Sequence, residues 1–246
     1  MTLYLVGGGP SQALAPVLDA FVEEVRARGK RVAIALLGSA EESAAVLDAY
    51  ADPITSRFPG ALIEPIWLTD EDEGPIEWPA DPENLAGLVV GGGWTPGYLE
   101  ALTGWREMIS TLLRRGVPYL GWSAGAMVVG RHAIVGGWQH RGRQVVPEIV
   151  GEGSTELDIR DGLALIGPSI ETHADTQYLL GRALAALQTG PMRSITAIDE
   201  ETALVADVTS GRSKVLGRGR VTWVSADGDR FVVRFEPRDS QPADES

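Results

Sequence analysis

The residue best suited to chemistry is Ser123, which follows a short apolar run and has small neighbours. The apolar run Tyr119–Trp122 ends at this serine, and Gly121, Ala124 and Gly125 surround it in the pattern G-x-S-x-G. A serine on a sharp strand-to-helix turn needs small neighbours, because the chain doubles back on itself there. Such a turn exposes the hydroxyl and directs the N–H of Ala124 toward a developing oxyanion. The segment therefore predicts a nucleophilic serine, although the same pattern also arises by chance in a glycine-rich chain.

A glycine-rich loop precedes this segment. Residues 91–95 read Gly-Gly-Gly-Trp-Thr and follow the predicted strand 85–90. They lie at its carboxyl end, which is where open α/β sheets bind ligands. Glycines let backbone N–H groups approach a ligand closely. We therefore predict that the N–H of Gly92 is a second oxyanion donor beside that of Ala124. The alternative is that the glycines only make the turn.

Alternating strands and helices must position these residues. Strands are predicted at short apolar runs, at residues 3–6, 31–37, 61–68, 85–90, 117–122, 167–171, 194–199 and 202–208. Amphipathic segments such as 11–28 lie between them, so a parallel sheet with helices on both faces is expected. Residues 215–235, with an Asp227-Gly228 turn, predict an antiparallel ribbon at the sheet edge. We expect one α/β domain over 1–237 and a disordered polar tail over 238–246.

His173 follows one of these strands, as Ser123 does. Because ligand-binding groups gather at the carboxyl ends of parallel strands, we expect both side chains on one edge of the sheet. A lone histidine is also often only a satisfied polar residue, so position alone does not assign it a role.

Composition excludes several other kinds of site. The chain of 246 residues has no cysteine, which excludes disulfides, thiolate metal sites and a cysteine nucleophile. Its net charge of −13 argues against a nucleic-acid partner. The three histidines lack tight ligand spacing and the acidic segment 69–84 predicts a solvated loop, so neither a metal nor a cofactor is expected. No apolar run approaches the length of about 18 residues that spans a membrane and no charged-then-apolar leader is present, so we expect a soluble cytoplasmic protein without a membrane partner.

Five segments recur in a recognisable order along nearly the whole chain. They are GGGWT at 91–95, GWSAGA at 121–126, IVGG at 134–137, IETH at 170–173 with Gly181-Arg182 downstream, and IDEETA at 198–203. In these segments the chain resembles the peptidase E and cyanophycinase family of serine peptidases. The resemblance implies a flavodoxin-like three-layer α/β/α sandwich, related to class I glutamine amidotransferases. It also implies a hydrolase of peptides that carry an aspartyl residue before the scissile bond.

The predicted catalytic triad is Ser123, His173 and Asp199. The resemblance makes His173 the general base, and an acid must hold its imidazole in the right tautomer. Asp199 and Glu200 are adjacent on a predicted strand, so their side chains point to opposite faces and only one can reach His173. We choose Asp199, while Glu200 and the acids between residues 148 and 158 stay open as alternatives. The order Ser, His, Asp differs from that of α/β-hydrolases, in which the acid precedes the histidine.

The substrate is expected to be a small peptide, most simply an Asp-X dipeptide. A bound aspartyl carboxylate needs a cation, and the family motif after the histidine leaves Arg182 as the candidate, with Arg131, Arg141 and Arg143 as rivals. The alternatives are a cyanophycinase-like hydrolase and a non-catalytic amidotransferase-like protein that binds a small ligand. The cyanophycinase-like alternative is weakened by the residues just after the histidine. Cyanophycinase-like members tend to carry an aromatic residue and several arginines at that place, and this chain lacks them apart from Arg182. The sequence leaves a monomer and a homodimer both open.

Overall fold

The computed structural model describes residues 1–68, 76–189, 191–228 and 230–237. The predicted polar tail at 238–246 and the first part of the predicted acidic loop at 69–84 lie outside the described residues. No helix in the described ranges is long and apolar enough to cross a membrane.

The described elements alternate between strands and helices, as the sequence pattern predicts. The strands are β1 (Thr2–Val6), β2 (Arg31–Leu37), β3 (Leu62–Leu68), β4 (Gly87–Val90), β5 (Tyr119–Trp122), β6 (His132–Gly136), β7 (Gln139–His140), β8 (Arg143–Gln144), β9 (Asp158–Asp161), β10 (Ser169–Glu171), β11 (Ser194–Ile198), β12 (Thr202–Asp207), β13 (Arg212–Gly217), β14 (Arg220–Asp227) and β15 (Arg230–Pro237). The helices are α1 (Ala15–Arg28), α2 (Ala40–Thr55), α3 (Thr95–Thr103), α4 (Arg106–Arg114), α5 (Ala124–Met127) and α6 (Leu180–Leu187).

A seven-stranded sheet forms the central layer, in the order β13-β12-β1-β5-β4-β2-β3. The strands from β1 to β3 in this order are parallel, and β12 and β13 add an antiparallel edge beside β1. Parallel sheets need cover on both faces, and helices supply it here. This architecture confirms the predicted fold class, a mainly parallel α/β sandwich with an antiparallel edge.

The alternation of side chains along β1 shows how the layers are held. Leu3 and Leu5 belong to one apolar cluster, which includes residues of α3 and α4. Tyr4 and Val6 belong to a second cluster on the opposite face, which includes the buried residues of α1. Because successive side chains of a strand point to opposite faces, one buried strand contributes to both cores. Burial of this apolar surface is the main stabilising term of the fold.

A second, four-stranded sheet has the order β10-β11-β14-β15. Its first two strands are parallel and the others are antiparallel. The predicted turn at Asp227-Gly228 lies between β14 and β15, so the ribbon is antiparallel as expected, but this hairpin extends the second sheet. His173 follows β10 and therefore comes from a different sheet than Ser123, which follows β5. The carboxyl ends of the two parallel pairs, β4–β5 and β10–β11, meet where β1 ends, since the N–H of His173 donates to the carbonyl of Gly7 at 2.8 Å.

Arg182, the predicted substrate-binding residue, lies in the protein interior. Its side chain is 1% exposed and that of Glu171 is 0% exposed. Arg182 Nη2 donates to Glu171 Oε1 at 2.9 Å, Nε donates to Oε2 at 3.1 Å, and Nη1 donates to the carbonyl of Val150 at 3.0 Å. These contacts join α6 to the end of β10. The prediction for Arg182 is corrected: α6 begins only at Leu180, so this arginine lies in its first turn and faces Glu171 instead of a substrate.

We predict that Arg182→Met lowers the free energy of unfolding by about 3–5 kcal/mol, because it leaves the Glu171 carboxylate buried without a partner. The double variant Glu171→Leu/Arg182→Met should regain most of this loss, since an apolar pair removes both desolvation costs. Urea denaturation followed by circular dichroism measures both values. A single variant as stable as the wild-type protein would contradict a structural role for the pair.

Candidate active site

Ser123, His173 and Glu200 form a continuous hydrogen-bonded line. Ser123 Oγ lies 2.7 Å from His173 Nε2, and His173 Nδ1 lies 2.6 Å from Glu200 Oε1. A carboxylate only accepts hydrogen bonds, so neutral His173 carries its proton on Nδ1 and leaves Nε2 to accept from the serine hydroxyl. This is the arrangement that a general base needs next to a nucleophile.

The turn at Ser123 has the strained geometry expected of a nucleophile elbow. Ser123 has φ 48° and ψ −110°, a region that residues other than glycine rarely occupy. Its N–H donates to the carbonyl of Val6 at 3.0 Å. A Cβ on Gly121 would lie 2.5 Å from the carbonyl oxygen of Gly125, and one on Gly125 would lie 2.5 Å from that of Val90. Glycine is therefore required at both positions, and the predicted small-residue turn is present.

His173 and Glu200 are brought together by the parallel pair β10 and β11. Each follows its strand by two residues, and the carboxyl ends of neighbouring parallel strands lie side by side. Two residues after His173 along the chain, Asp175 accepts a hydrogen bond from the N–H of Glu200 at 2.9 Å. The hydroxyl of Thr176 donates to Glu200 Oε1 at 2.8 Å. Glu200 is thus fixed through its backbone and its side chain while it contacts the imidazole.

Asp199, the predicted triad acid, faces away from His173. Its Oδ2 accepts from the N–H of Arg220 at 3.1 Å and lies 3.6 Å from Arg220 Nε. Burial raises the pKa of the Asp199 carboxyl, and the hydrogen bond from Arg220 opposes that rise. Of the two adjacent acids, one bonds to the histidine as predicted, but it is Glu200 and not Asp199. β11 ends at Ile198, so both acids lie beyond the strand, where alternation does not determine which face each one takes.

Three of the acids between residues 148 and 158 also have other partners. Glu152 accepts from the hydroxyl of Thr95, Glu156 from backbone N–H groups of the β7–β8 turn, and Asp158 from Arg160. None of these hydrogen bonds involves His173.

The glycine loop, residues 91–93, lies against the serine. A Cβ on Gly92 would be 3.1 Å from Ser123 Cβ and 3.8 Å from Ser123 Oγ. The N–H of Gly92 donates to the hydroxyl of Tyr50 at 3.1 Å, so it is not the free oxyanion donor that we predicted. Within the described part of the chain, the N–H groups of Gly93 and Ala124 donate no hydrogen bond. These two groups are therefore the candidate oxyanion donors near the serine turn.

The end of the glycine loop is anchored by Glu152. Trp94 Nε1 donates to the backbone carbonyl of Glu152 at 3.3 Å, and Thr95 Oγ1 donates to its carboxylate at 3.1 Å. Burial raises the pKa of the Glu152 carboxyl, and the hydrogen bonds from Thr95 oppose that rise. No sequence motif points to this anchor or to Tyr50, because the spacing of these residues along the chain follows no recognisable pattern.

Comparison with known proteins places this geometry in a family. The model of peptidase family S51 matches residues 5–212. The cyanophycinases of Trichormus variabilis and of Nostoc sp. are each 35% identical to the chain over 124 residues, which is 48% of this chain and 37% of each relative. The chain thus aligns with little more than a third of the length of these curated relatives.

Solved structures share the fold at low sequence identity. The crystal structure of a peptidase from an acI-B1 Actinobacterium has a TM-score of 0.66 at 18% identity, with 96% of each chain covered. A putative peptidase E protein from Listeria monocytogenes has a TM-score of 0.52 at 17% identity, with 95% of this chain and 97% of that chain covered. Together with the family match, which spans most of the sequence, these findings confirm the resemblance drawn from the motifs. The chain belongs to peptidase family S51.

Proposed function

We propose that this peptidase cleaves short peptides by acyl transfer through Ser123, with His173 as the general base and Glu200 as the acid that orients it. The observation that carries the proposal is the line from Ser123 Oγ to His173 Nε2 at 2.7 Å and from His173 Nδ1 to Glu200 Oε1 at 2.6 Å. Hydrogen-bond contact between nucleophile and base, with the base oriented by a third group, is the signature of an activated serine.

In the proposed mechanism, Ser123 Oγ attacks the peptide carbonyl carbon while His173 Nε2 takes the hydroxyl proton. The Glu200 carboxylate stabilises the imidazolium that results. The carbonyl oxygen becomes an oxyanion, which accepts from the N–H groups of Gly93 and Ala124. His173 then gives the proton to the leaving amine, and a water molecule, activated by the same histidine, hydrolyses the acyl-enzyme. Gly93 replaces Gly92 in this assignment because the Gly92 N–H is bonded to Tyr50.

We predict that Ser123→Ala abolishes peptide hydrolysis and leaves the fold intact. Loss of the nucleophile typically lowers kcat on the order of 10⁴- to 10⁶-fold, and alanine is small enough for the turn. Steady-state hydrolysis and circular dichroism measure the two effects. Near-normal turnover by this variant would refute the serine mechanism.

The identity of the acid gives a second prediction. Glu200→Gln should lower kcat on the order of 10³- to 10⁴-fold, because the amide can donate to Nδ1 and hold His173 in the wrong tautomer. Asp199→Asn is the matched control in the adjacent position and should keep kcat within about threefold, since its carboxylate contacts Arg220. The reverse ranking would restore Asp199 as the triad acid.

For the substrate, we propose an Asp-X dipeptide, which is the class implied by the family resemblance. The burial of Arg182 against Glu171 leaves the aspartyl carboxylate in need of another cation. Arg141 and Arg143 lie on the β7–β8 hairpin and are exposed. Trp138, the residue before this hairpin, lies against Gly151, since a Cβ on Gly151 would be 2.8 Å from its ring. The residue after Gly151 is Glu152, whose carbonyl accepts from Trp94 at the end of the glycine loop.

Arg131 is a weaker candidate for binding the carboxylate, because it lies at the far end of β6 from Glu152. It precedes β6, whereas Gly136 at the other end of that strand packs against Glu152. Five strand residues at about 3.3 Å each separate Arg131 from this end by roughly 16 Å. The hairpin arginines are therefore the better candidates for a carboxylate bound beside Ser123.

We predict that at least one of the two variants Arg141→Ala and Arg143→Ala raises KM for Asp-Leu by about tenfold to a hundredfold. This is the effect expected when one charge-assisted hydrogen bond is lost. KM for the neutral isostere Asn-Leu should change little, and Arg131→Ala serves as the control. Parallel steady-state kinetics on the two dipeptides measure the selectivity. A selective loss in Arg131→Ala, or in none of the three variants, would contradict recognition by the hairpin.

A cyanophycinase-type hydrolysis is the second candidate, favoured by the 35% identity to two cyanophycinases over about half of this chain. Incubation of the wild-type enzyme with cyanophycin, compared with Asp-X dipeptides at equal enzyme concentration, separates the two substrate classes. Release of soluble products from cyanophycin by the wild type and not by Ser123→Ala would support this second candidate.

A further inference from the structure

Two tyrosine hydroxyls hold the two ends of Gly92 in the glycine loop. The N–H of Gly92 donates to Tyr50 Oη at 3.1 Å, and the carbonyl of Gly92 accepts from Tyr98 Oη at 3.2 Å. Tyr50 lies on α2 and Tyr98 on α3, so the two contacts come from different helices. We call these two residues the tyrosine clamp. A glycine has the most freedom of any residue to rotate its backbone, and the clamp removes that freedom at this position.

The direction of the Tyr98 hydroxyl is fixed by a second contact. Its oxygen also accepts from the N–H of Leu37 at 3.1 Å. A phenol has one proton, and because a backbone amide is already donating to the oxygen, that proton is directed to the carbonyl of Gly92. Burial raises the pKa of Tyr98, which keeps the hydroxyl protonated and able to donate.

Tyr50 connects the loop to the strand that carries the nucleophile. Its ring contacts that of Trp122 edge to face, with centroids 6.2 Å apart and planes at 69°. Trp122 is fully buried and directly precedes Ser123. Tyr50 therefore links the position of Gly92 to β5, the strand that leads to Ser123.

Peptide planarity carries this restraint to the next residue. The carbonyl of Gly92 and the N–H of Gly93 belong to one peptide unit, and the described residues contain no cis peptide. In a trans unit the two bonds point in opposite directions. The bond from Tyr98 to the Gly92 carbonyl therefore sets the direction of the Gly93 N–H, the proposed oxyanion donor. Gly93 itself has φ 149°, a conformation that side-chain-bearing residues rarely adopt, so no side chain at this position helps to hold it.

We propose that Tyr50 and Tyr98 are positioning residues, which hold the Gly92–Gly93 peptide so that the Gly93 N–H stays directed at the oxyanion. The inference rests on the proposed acyl-transfer mechanism. Oxyanion stabilisation depends on donors that are already oriented before charge develops. A loop of three glycines cannot provide such order through its own side chains, and the clamp provides it from outside the loop.

The test compares Tyr50→Phe and Tyr98→Phe with Tyr4→Phe. Tyr4 is a matched control because it is a buried tyrosine whose hydroxyl donates to Glu24 on α1 and not to the glycine loop. Hydrolysis of Asp-Leu and of p-nitrophenyl acetate gives kcat and KM, and the ester makes the assay independent of aspartyl specificity. Inhibition by a peptide boronic acid, which forms a tetrahedral adduct with the serine, gives affinity for a mimic of the transition state. Thermal unfolding of each variant is measured in parallel.

We expect each clamp variant to lower kcat by about tenfold to a hundredfold, less than or equal to the loss of a whole oxyanion donor. KM should stay within about twofold, and boronate affinity should fall by the same factor as kcat. Tyr4→Phe should keep both values even where its melting temperature falls as much. Tyr50→Phe decides the test if Tyr98→Phe does not fold, because Tyr50 is only partly buried.

Two results would overturn the clamp alone. One is a kcat within twofold of wild type in Tyr50→Phe, and the other is a raised KM with unchanged kcat, which indicates a role in shaping the substrate pocket. A wild-type enzyme without Ser123-dependent ester hydrolysis would instead overturn the acyl-transfer mechanism, and the clamp with it.

Discussion

The site depends on the contact between two sheets at the end of β1. The carbonyl of Gly7 accepts from the N–H of His173, and the N–H of Gly7 donates to the carbonyl of Thr202. A Cβ on Gly7 would lie 2.1 Å from the carbonyl oxygen of Asp199, so only glycine lets the segments after β10 and β11 approach this closely. The first glycine of the triplet at residues 7–9 thus serves as a junction between the sheets.

Backbone strain at Ser123 and His173 accompanies this arrangement. Ser123 and His173 both have φ 48°, which costs of order 1–3 kcal/mol at each residue. The surroundings fix both conformations through backbone hydrogen bonds, to Val6 for the serine and to Gly7 for the histidine. These two acceptors are consecutive residues. A single short segment after β1 therefore holds the Ser123 hydroxyl and the His173 imidazole at hydrogen-bonding distance.

The parts of the site that the sequence predicts are those that depend on local backbone chemistry. Small residues around Ser123 indicate an elbow because no larger side chain fits there, and alternating strands and helices indicate the sheet. The choice between Asp199 and Glu200 is not local: it depends on how the turn after β11 meets Arg220 and His173. The same holds for Arg182, whose partner is set by where α6 begins, and for Tyr50, which bonds to a backbone group 42 residues away. A hydrogen bond to a backbone group requires no particular side chain in the partner residue, so it leaves no pattern in the sequence.

The division of the site between the sheets makes it two preassembled halves. One half, from β4 and β5, contains the serine turn and the glycine loop; the other, from β10 and β11, contains His173 already bonded to Glu200. Hydrogen bonds cross between the halves from Ser123 Oγ to His173 Nε2 and from the N–H of His173 to the carbonyl of Gly7, and a relative displacement of the sheets would lengthen both. The alignment of the Ser123 hydroxyl with the His173 imidazole is therefore tied to an intact junction at Gly7.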